Sequence, residues 1–261
     1  MKKPLNWTIF FILLAAAILG ALLVIPYSLA ITGTSGAQQL TLSWQLLALA
    51  TLQSAMMFGL AIGIGLLLAN SIGLGLPILE AALRREPTGK AIRDMLPISI
   101  LLGVAAGLLI IVLESFVFQP AMAAALGDKA DALAVAATQA GPWRGFLASF
   151  YGGINEEILL RLFFMTLLAW LGRFISKTPD GRPTLTVLWV ANVLAAVVFG
   201  LGHLPVTATL VPLTTLVILR AIILNGLGGV IFGYLYMKRG LESAMVAHFS
   251  ADIVLHVIFG I

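Results

Sequence analysis

The stretch Tyr151-Gly-Gly-Ile-Asn-Glu-Glu-Ile-Leu-Leu-Arg161 places two adjacent carboxylates and a guanidinium inside a long apolar segment. A charged side chain at bilayer depth is costly, so a charged cluster there predicts a functional site. On an α-helix, Glu157 and Arg161 are four residues apart and lie on one face, where an ion pair forms. Glu156 is rotated by roughly 100° from Glu157 and has no partner within its own turn. The stretch therefore predicts one carboxylate in a structural ion pair and a second, Glu156, directed elsewhere.

The composition indicates an all-α, polytopic membrane protein. The chain has 261 residues, of which 61% are hydrophobic and 10% are charged, and its mean hydropathy is +1.08. Soluble domains carry about 25% charged residues. The absence of cysteine excludes disulfides, thiolate metal sites and a cysteine nucleophile. The sequence shows no basic patch with interleaved aromatics, so membrane lipid is an expected partner and nucleic acid is not.

Apolar runs separated by polar loops predict a bundle of about seven transmembrane helices. They lie at about 7–30, 44–69, 96–118, 144–171, 185–204, 212–237 and from 241 to the C-terminus. The first run is too long for the apolar region of a signal peptide, so it is interpreted as a span. The alanine-rich segment 120–143 predicts a short helix at the membrane interface.

The positive charges predict that the N-terminus is cytoplasmic and the C-terminus is outside, in the plasma or inner membrane of the cell. With this orientation, two basic residues lie on the outer side, Lys129 and Arg144, the latter at the edge of the fourth span. Eleven lie on the cytoplasmic side, a strong positive-inside bias: Lys2, Lys3, Arg84, Arg85, Lys90, Arg93, Arg173, Lys177, Arg182, Lys238 and Arg239.

Few other polar side chains are expected at membrane depth, and all three histidines are among them: Glu114, Asn192, His203, Arg220, Asn225, His248, Asp252 and His256. Helical spacing places Phe199 on the same face as His203, and His248 on the same face as Asp252, with His256 a turn further on. The small residues at 225–233 favour close helix packing over a ligand site.

Glu156, His203 and His248 lie on three separate spans, and their convergence suits activation of a water molecule. Glu156 would act as the general base, one histidine would hold the water or carry the proton, and another donor would stabilise an oxyanion. Two histidines and a carboxylate could instead bind zinc, but no His-Glu-x-x-His motif is present and no cofactor is favoured. A serine nucleophile is less favoured, because no Gly-x-Ser-x-Gly motif occurs. The alternative outside catalysis is a transporter or immunity-type scaffold that uses the same groups to bind a ligand or protons.

Three motifs carry a family resemblance: Glu156-Glu-x-x-x-Arg161, Phe199-x-x-x-His203 and His248-x-x-x-Asp252. In this order and on successive helices, they resemble the type II CAAX prenyl endopeptidase and bacteriocin-processing (abortive-infection) family. The resemblance covers roughly residues 142–256. It implies a glutamate-dependent intramembrane endopeptidase that acts near the C-terminus of a prenylated or otherwise membrane-tethered protein.

The resemblance also implies a role for each residue of the motifs. Glu156 would activate water with His203 as its partner, and His248 and Asp252 would lie at the oxyanion position. Glu157 and Arg161 would form the accompanying structural ion pair. Further residues are expected to line the site: Asn155, Phe199, Arg220 and His256.

The chain departs from the family pattern at Asp252, where the prenyl proteases usually carry Asn. An ionised Asp cannot donate a hydrogen bond to an oxyanion. Asp252 would therefore be protonated, or it would orient His248 or His256. Residues 1–141 show no family motif and are predicted to form an N-terminal transmembrane region with the interfacial helix, whereas residues 142–261 would form the protease core.

Depth in the membrane places a condition on this site. His203 lies about 21 residues beyond the cytoplasmic Arg182, whereas His248 lies only about nine residues beyond Arg239. For both histidines to approach Glu156, the fifth helix must start late, tilt or break. Gly200, Gly202 and Pro205 would permit a break.

Overall fold

A computed structural model describes residues 5–33 and 43–260. Lys2 and Lys3, which contribute to the predicted orientation, and most of the charge-free loop after the first span lie outside these residues. The described chain is helical and contains no β-strand, which confirms the all-α class. The seven-span count, the orientation and the boundary at residues 141/142 stay predictions.

Thirteen α-helices follow one another in the described residues. In chain order, α1 to α13 are Trp7–Leu23, Ile25–Gly33, Trp44–Ile72, Pro77–Leu83, Gly89–Leu113, Gln119–Leu126, Ala132–Ala140, Pro142–Phe150, Thr166–Gly172, Leu185–Gly202, Leu204–Thr207, Thr215–Arg239 and Leu241–Asp252. Side-chain caps begin three long helices, because a polar oxygen accepts from an otherwise unpaired backbone N–H: Asn6 for α1, Ser43 for α3 and Thr214 for α12.

Six helical segments are long and apolar enough to cross a membrane: Trp7–Gly33, Trp44–Ile72, Gly89–Ala140, Leu185–Thr207, Thr215–Arg239 and Leu241–Phe259. Each overlaps one of the predicted spans. The predicted fourth span coincides with the continuous helical segment Pro142–Gly172. This segment is not among the six, and it carries the three charged residues Glu156, Glu157 and Arg161 close together.

Parts of the helical segments are π-helical, with hydrogen bonds to the fifth residue back along the chain. The π-helical segments are Glu114–Phe118, Tyr151–Glu156, Ile158–Met165 and Ile253–Phe259. Most of the polar residues singled out in the sequence lie in or directly beside them. Expectations based on α-helical angles are therefore approximate at these positions, because the residues there are spaced differently around the helix axis.

The helices approach one another closely where glycine replaces a larger side chain. A Cβ on Gly103 of α5 would collide with the Ala247 carbonyl of α13. A Cβ on Gly200 of α10 would lie 2.5 Å from the Cα of Ile222 in α12. These two contacts join α5 to α13 and α10 to α12, and small residues at such contacts are typical of membrane helix packing.

Helix α10 ends beside His203, which lies in a turn before the short helix α11 begins at Leu204. The predicted break in the fifth span therefore occurs at the histidine itself. Pro205 lies in the first turn of α11, where its missing backbone N–H costs little.

Candidate active site

A buried ion pair forms the base of the candidate site. Arg161 Nη1 lies 3.2 Å from Glu157 Oε1, and the two side chains are 1% and 0% exposed. Arg161 Nη2 also donates to the Gly229 carbonyl of α12 at 2.8 Å. Its guanidinium lies over the rings of Phe199 and Phe232, at 5.2 and 5.7 Å from their centroids. A Cβ at residue 229 would reach 3.3 Å from Nη2, so Gly229 allows this close approach.

His248 is the group that connects the carboxylates of the site. Its Nδ1 lies 2.8 Å from Glu157 Oε1. Its Nε2 lies 3.6 Å from both Glu156 Oε2 and Asp252 Oδ1. The imidazole stacks on Phe232 with ring centroids 4.5 Å apart and an interplanar angle of 20°. The ring is therefore held in one plane, with one nitrogen on the ion pair and the other facing two carboxylates.

The contacts of His248 indicate where its protons lie. The Glu157 carboxylate, already paired with Arg161, is an acceptor, so Nδ1–H donates to it. A proton on Nε2 as well would face Glu156 and Asp252 favourably. Three carboxylates against Arg161 and a protonated His248 still leave one excess negative charge in a buried cluster. Because an unpaired buried charge is costly, the cluster depends on both of its cationic partners, Arg161 and His248.

Glu156 differs from Glu157 in its access to solvent. Its side chain is 22% exposed, whereas that of Glu157 is fully buried. The nearby Gly152 gives the site its space, because a Cβ there would collide with Asp252 Oδ2 and lie 3.2 Å from His248 Nε2. Glu156 is therefore the carboxylate of this cluster that a water molecule or a substrate can reach most easily.

His203 is linked to the cluster through Phe199. The Phe199 ring meets the His203 ring edge-on at 4.8 Å and the His248 ring edge-on at 5.5 Å. His203 Nδ1 lies 2.8 Å from the Phe199 carbonyl oxygen. A carbonyl only accepts, so Nδ1 carries the proton, and Nε2 is the nitrogen of the neutral ring that can accept a hydrogen bond.

Two residues that the sequence assigned to the lining of the site have their partners elsewhere. Asn155 Nδ2 donates to the Ala17 carbonyl of α1 at 2.7 Å. Arg220 Nε lies 2.7 Å from Glu114 Oε2, so this pair joins α12 to the start of the π-helical segment Glu114–Phe118. Each of these side chains thus contacts another helix, although Asn155 Oδ1 is buried without a hydrogen-bond partner among the described residues. Their assignment to the lining of the site stays a prediction.

Other residues that contact the site could not be recognised as site residues from the sequence. Phe232, which stacks on His248, and Gly229 lie in a run interpreted only as a packing surface. Tyr27 lies in an apolar span, yet its Oη is 3.3 Å from His256 Nδ1. His256, expected to line the site, has its Nε2 4.0 Å from Asp252 Oδ1.

No group of three or more histidine and acidic side chains in residues 5–33 and 43–260 has an arrangement that could hold a metal ion. The zinc alternative therefore gains no ligand set from the described part of the chain.

The fold is that of a polytopic helical membrane protein. Its site combines one partly exposed carboxylate, Glu156, with a buried cluster of imidazole, carboxylate and guanidinium groups. Residues 137–254 match the family model described as type II CAAX prenyl endopeptidase Rce1-like. The resemblance drawn from the three motifs is therefore confirmed, and the matched residues include all three of them. No curated protein and no solved structure matches the chain.

Proposed function

We propose that this protein is an intramembrane endopeptidase that uses Glu156 to activate water against a peptide bond. The single observation that carries the proposal is the position of Glu156, the most exposed carboxylate of a buried cluster, with its Oε2 3.6 Å from His248 Nε2. The family match to residues 137–254 supports the same class of activity. The substrate class is a prenylated or otherwise membrane-tethered protein tail, cut near its C-terminus.

In the proposed reaction, Glu156 removes a proton from water as the water oxygen attacks the carbonyl carbon of the scissile bond. His203 Nε2 accepts a hydrogen bond from the same water and orients it. The carbonyl oxygen becomes an oxyanion, which accepts hydrogen bonds from His248 Nε2–H and from a protonated Asp252. The protonated Glu156 then gives its proton to the leaving amine as the C–N bond breaks, so the carboxylate is restored.

Glu157 supports this chemistry without contacting the substrate. By accepting from His248 Nδ1–H, it fixes the ring so that Nε2 faces the reacting atoms, as second carboxylates do for histidines in other active sites. Arg161 balances the charge of Glu157 and ties it to α12 through Gly229. A membrane-tethered tail would reach Glu156 laterally from the cytoplasmic leaflet of the cell membrane.

The test is cleavage of a fluorogenic farnesylated C-terminal peptide by the purified full chain in lipid nanodiscs. Glu156→Gln keeps the shape of the side chain but removes the base, so we expect activity to fall by about 10²–10⁴-fold. Glu114→Gln removes a different membrane carboxylate, 2.7 Å from Arg220 and outside the cluster, and should stay near wild type. Equal activity of wild type and Glu156→Gln would rule out Glu156 as the base.

A further inference from the structure

Two side chains from outside residues 137–254 reach the carboxylate end of the site. His256, in the π-helical segment Ile253–Phe259, lies with Nε2 4.0 Å from Asp252 Oδ1. The other nitrogen of the same ring, Nδ1, lies 3.3 Å from the Oη of Tyr27 in α2. Asp252 in turn lies 3.6 Å from His248 Nε2. A polar chain therefore runs from the N-terminal region of the protein to the histidine that faces Glu156.

The hydrogen-bonding capacity of the three groups fits this order. A neutral imidazole has one donor and one acceptor nitrogen, a phenol can donate, and a protonated carboxyl still accepts at its carbonyl oxygen while its O–H donates elsewhere. The acceptor and donor nitrogens of His256 both have a partner when Tyr27 O–H donates to Nδ1 of His256 and the Nε2–H of the same ring faces Asp252. The 4.0 Å separation is an ion-pair distance longer than a direct hydrogen bond, so the last contact is electrostatic or is bridged by one water.

Packing fixes the ring of His256 in this place. The Tyr27 and His256 rings lie 5.5 Å apart at 58°. The backbone of His256 packs against Gly145 of α8, where a Cβ would be 2.5 Å from the His256 carbonyl oxygen. Among the described residues, the charged and titratable groups that act on Asp252 are His248 and His256 on its own helix, Glu156 and Glu157 across His248, and Tyr27 through His256.

We propose that Tyr27 and His256 are positioning residues that orient the Asp252 carboxyl toward His248 Nε2. They account for the Asp in place of the usual Asn, since an amide donates and accepts by itself whereas a carboxyl needs a partner that fixes its proton and its rotamer. The N-terminal transmembrane region thereby contributes to the site through Tyr27. The catalytic consequence rests on the proposed function, but the contact itself does not.

The contact can be tested without any substrate, because the chain contains only three histidines. In full-length protein labelled with ¹⁵N-histidine in nanodiscs, Tyr27→Phe keeps the ring and removes only the hydroxyl. We expect the ¹⁵N shifts of His256, assigned with His256→Gln, to report a changed tautomer population while those of His203 stay in place. Tyr234→Phe is the matched control, because Tyr234 stacks on Trp189 and is exposed. A Tyr27→Phe spectrum identical to that of Tyr234→Phe would overturn the proposal.

The positioning role is tested by kinetics on the farnesylated peptide. Loss of the Tyr27 hydroxyl should lower kcat by about fivefold, the effect of one neutral hydrogen bond, and leave KM nearly unchanged. His256→Gln should cost at least as much, and adding Tyr27→Phe to it should cost little more, because the two residues act in series. Unchanged kcat in Tyr27→Phe, in an active enzyme, would overturn the role even if the ¹⁵N shifts move. If the wild type cleaves no peptide, the proposed function fails, and the ¹⁵N spectra still decide whether the pair exists.

Discussion

Replacing Arg161 while leaving Glu157 in place should be one of the most destabilising single changes in the membrane core. The pair is 3.2 Å long, with side chains 1% and 0% exposed. Removing one partner of a buried pair leaves an uncompensated charge, which costs about 3–5 kcal/mol. We therefore expect Arg161→Met to lower the free energy of unfolding by that amount, even though Met fills much of the volume and His248 still donates to Glu157.

The double variant Glu157→Gln/Arg161→Met separates the charge from the other contacts of Arg161. The hydrogen bond to the Gly229 carbonyl and the contacts with the two phenylalanine rings are lost in both the single and the double variant. Only the lone carboxylate differs, and the amide that replaces it retains an oxygen that can accept from His248. The double variant should therefore recover about 2 kcal/mol or more relative to Arg161→Met.

The assay is reversible unfolding of the full chain in bicelles, followed by steric trapping or by titration with a denaturing detergent. Arg220→Met serves as the comparison, because the Glu114–Arg220 pair is 15–18% exposed, so water can still reach the carboxylate left behind and the loss should be smaller than for Arg161→Met. The reasoning would be refuted if the double variant were as unstable as Arg161→Met, or if Arg161→Met cost no more than Arg220→Met.

Two further predictions concern glycines. Gly152→Ala should lower kcat by at least about tenfold with little loss of the folded protein, because its Cβ displaces the Asp252 carboxyl; the measurement is peptide cleavage beside thermal unfolding. Gly103→Ala should instead destabilise the fold by about 1–3 kcal/mol, since its Cβ meets the backbone carbonyl of Ala247. Gly226→Ala is the control for both, with its nearest atom at an ordinary 3.7 Å, and a similar loss in this variant would contradict both explanations.

The structural features that could be predicted from the sequence are those that depend on residue spacing within a single segment. Glu157 and Arg161 are four residues apart, and this separation brings them together even though the segment Ile158–Met165 is π-helical. For the fifth helix the sequence left a late start, a tilt or a break open, with a break permitted by Gly200, Gly202 and Pro205, and the structure has the break at His203. The fold class followed from the apolar composition together with the length of the apolar runs, because about 20 consecutive apolar residues span the bilayer as a helix.

Contacts across the bundle could not be predicted in the same way. His248 was expected at the oxyanion position with Asp252, but nothing in the spacing indicates its 2.8 Å contact with Glu157, which is 91 residues away in the chain. Arg220 and Asn155 were expected to line the site, and their contacts with Glu114 and with the Ala17 carbonyl are likewise not indicated by the spacing. Partner choice depends on the rotation and tilt of each helix, which long-range packing determines.

The ion pair at the base of the site also limits how this protein can change over evolutionary time. A lineage that loses Arg161 first, or Glu157 first, passes through an intermediate with a lone charge in the membrane interior. The single-residue intermediate is therefore less stable than either the charged pair or a neutral pair, so both residues must change almost together. We therefore expect descendants of this protein to keep both residues or to lose both, whatever substrate they cleave.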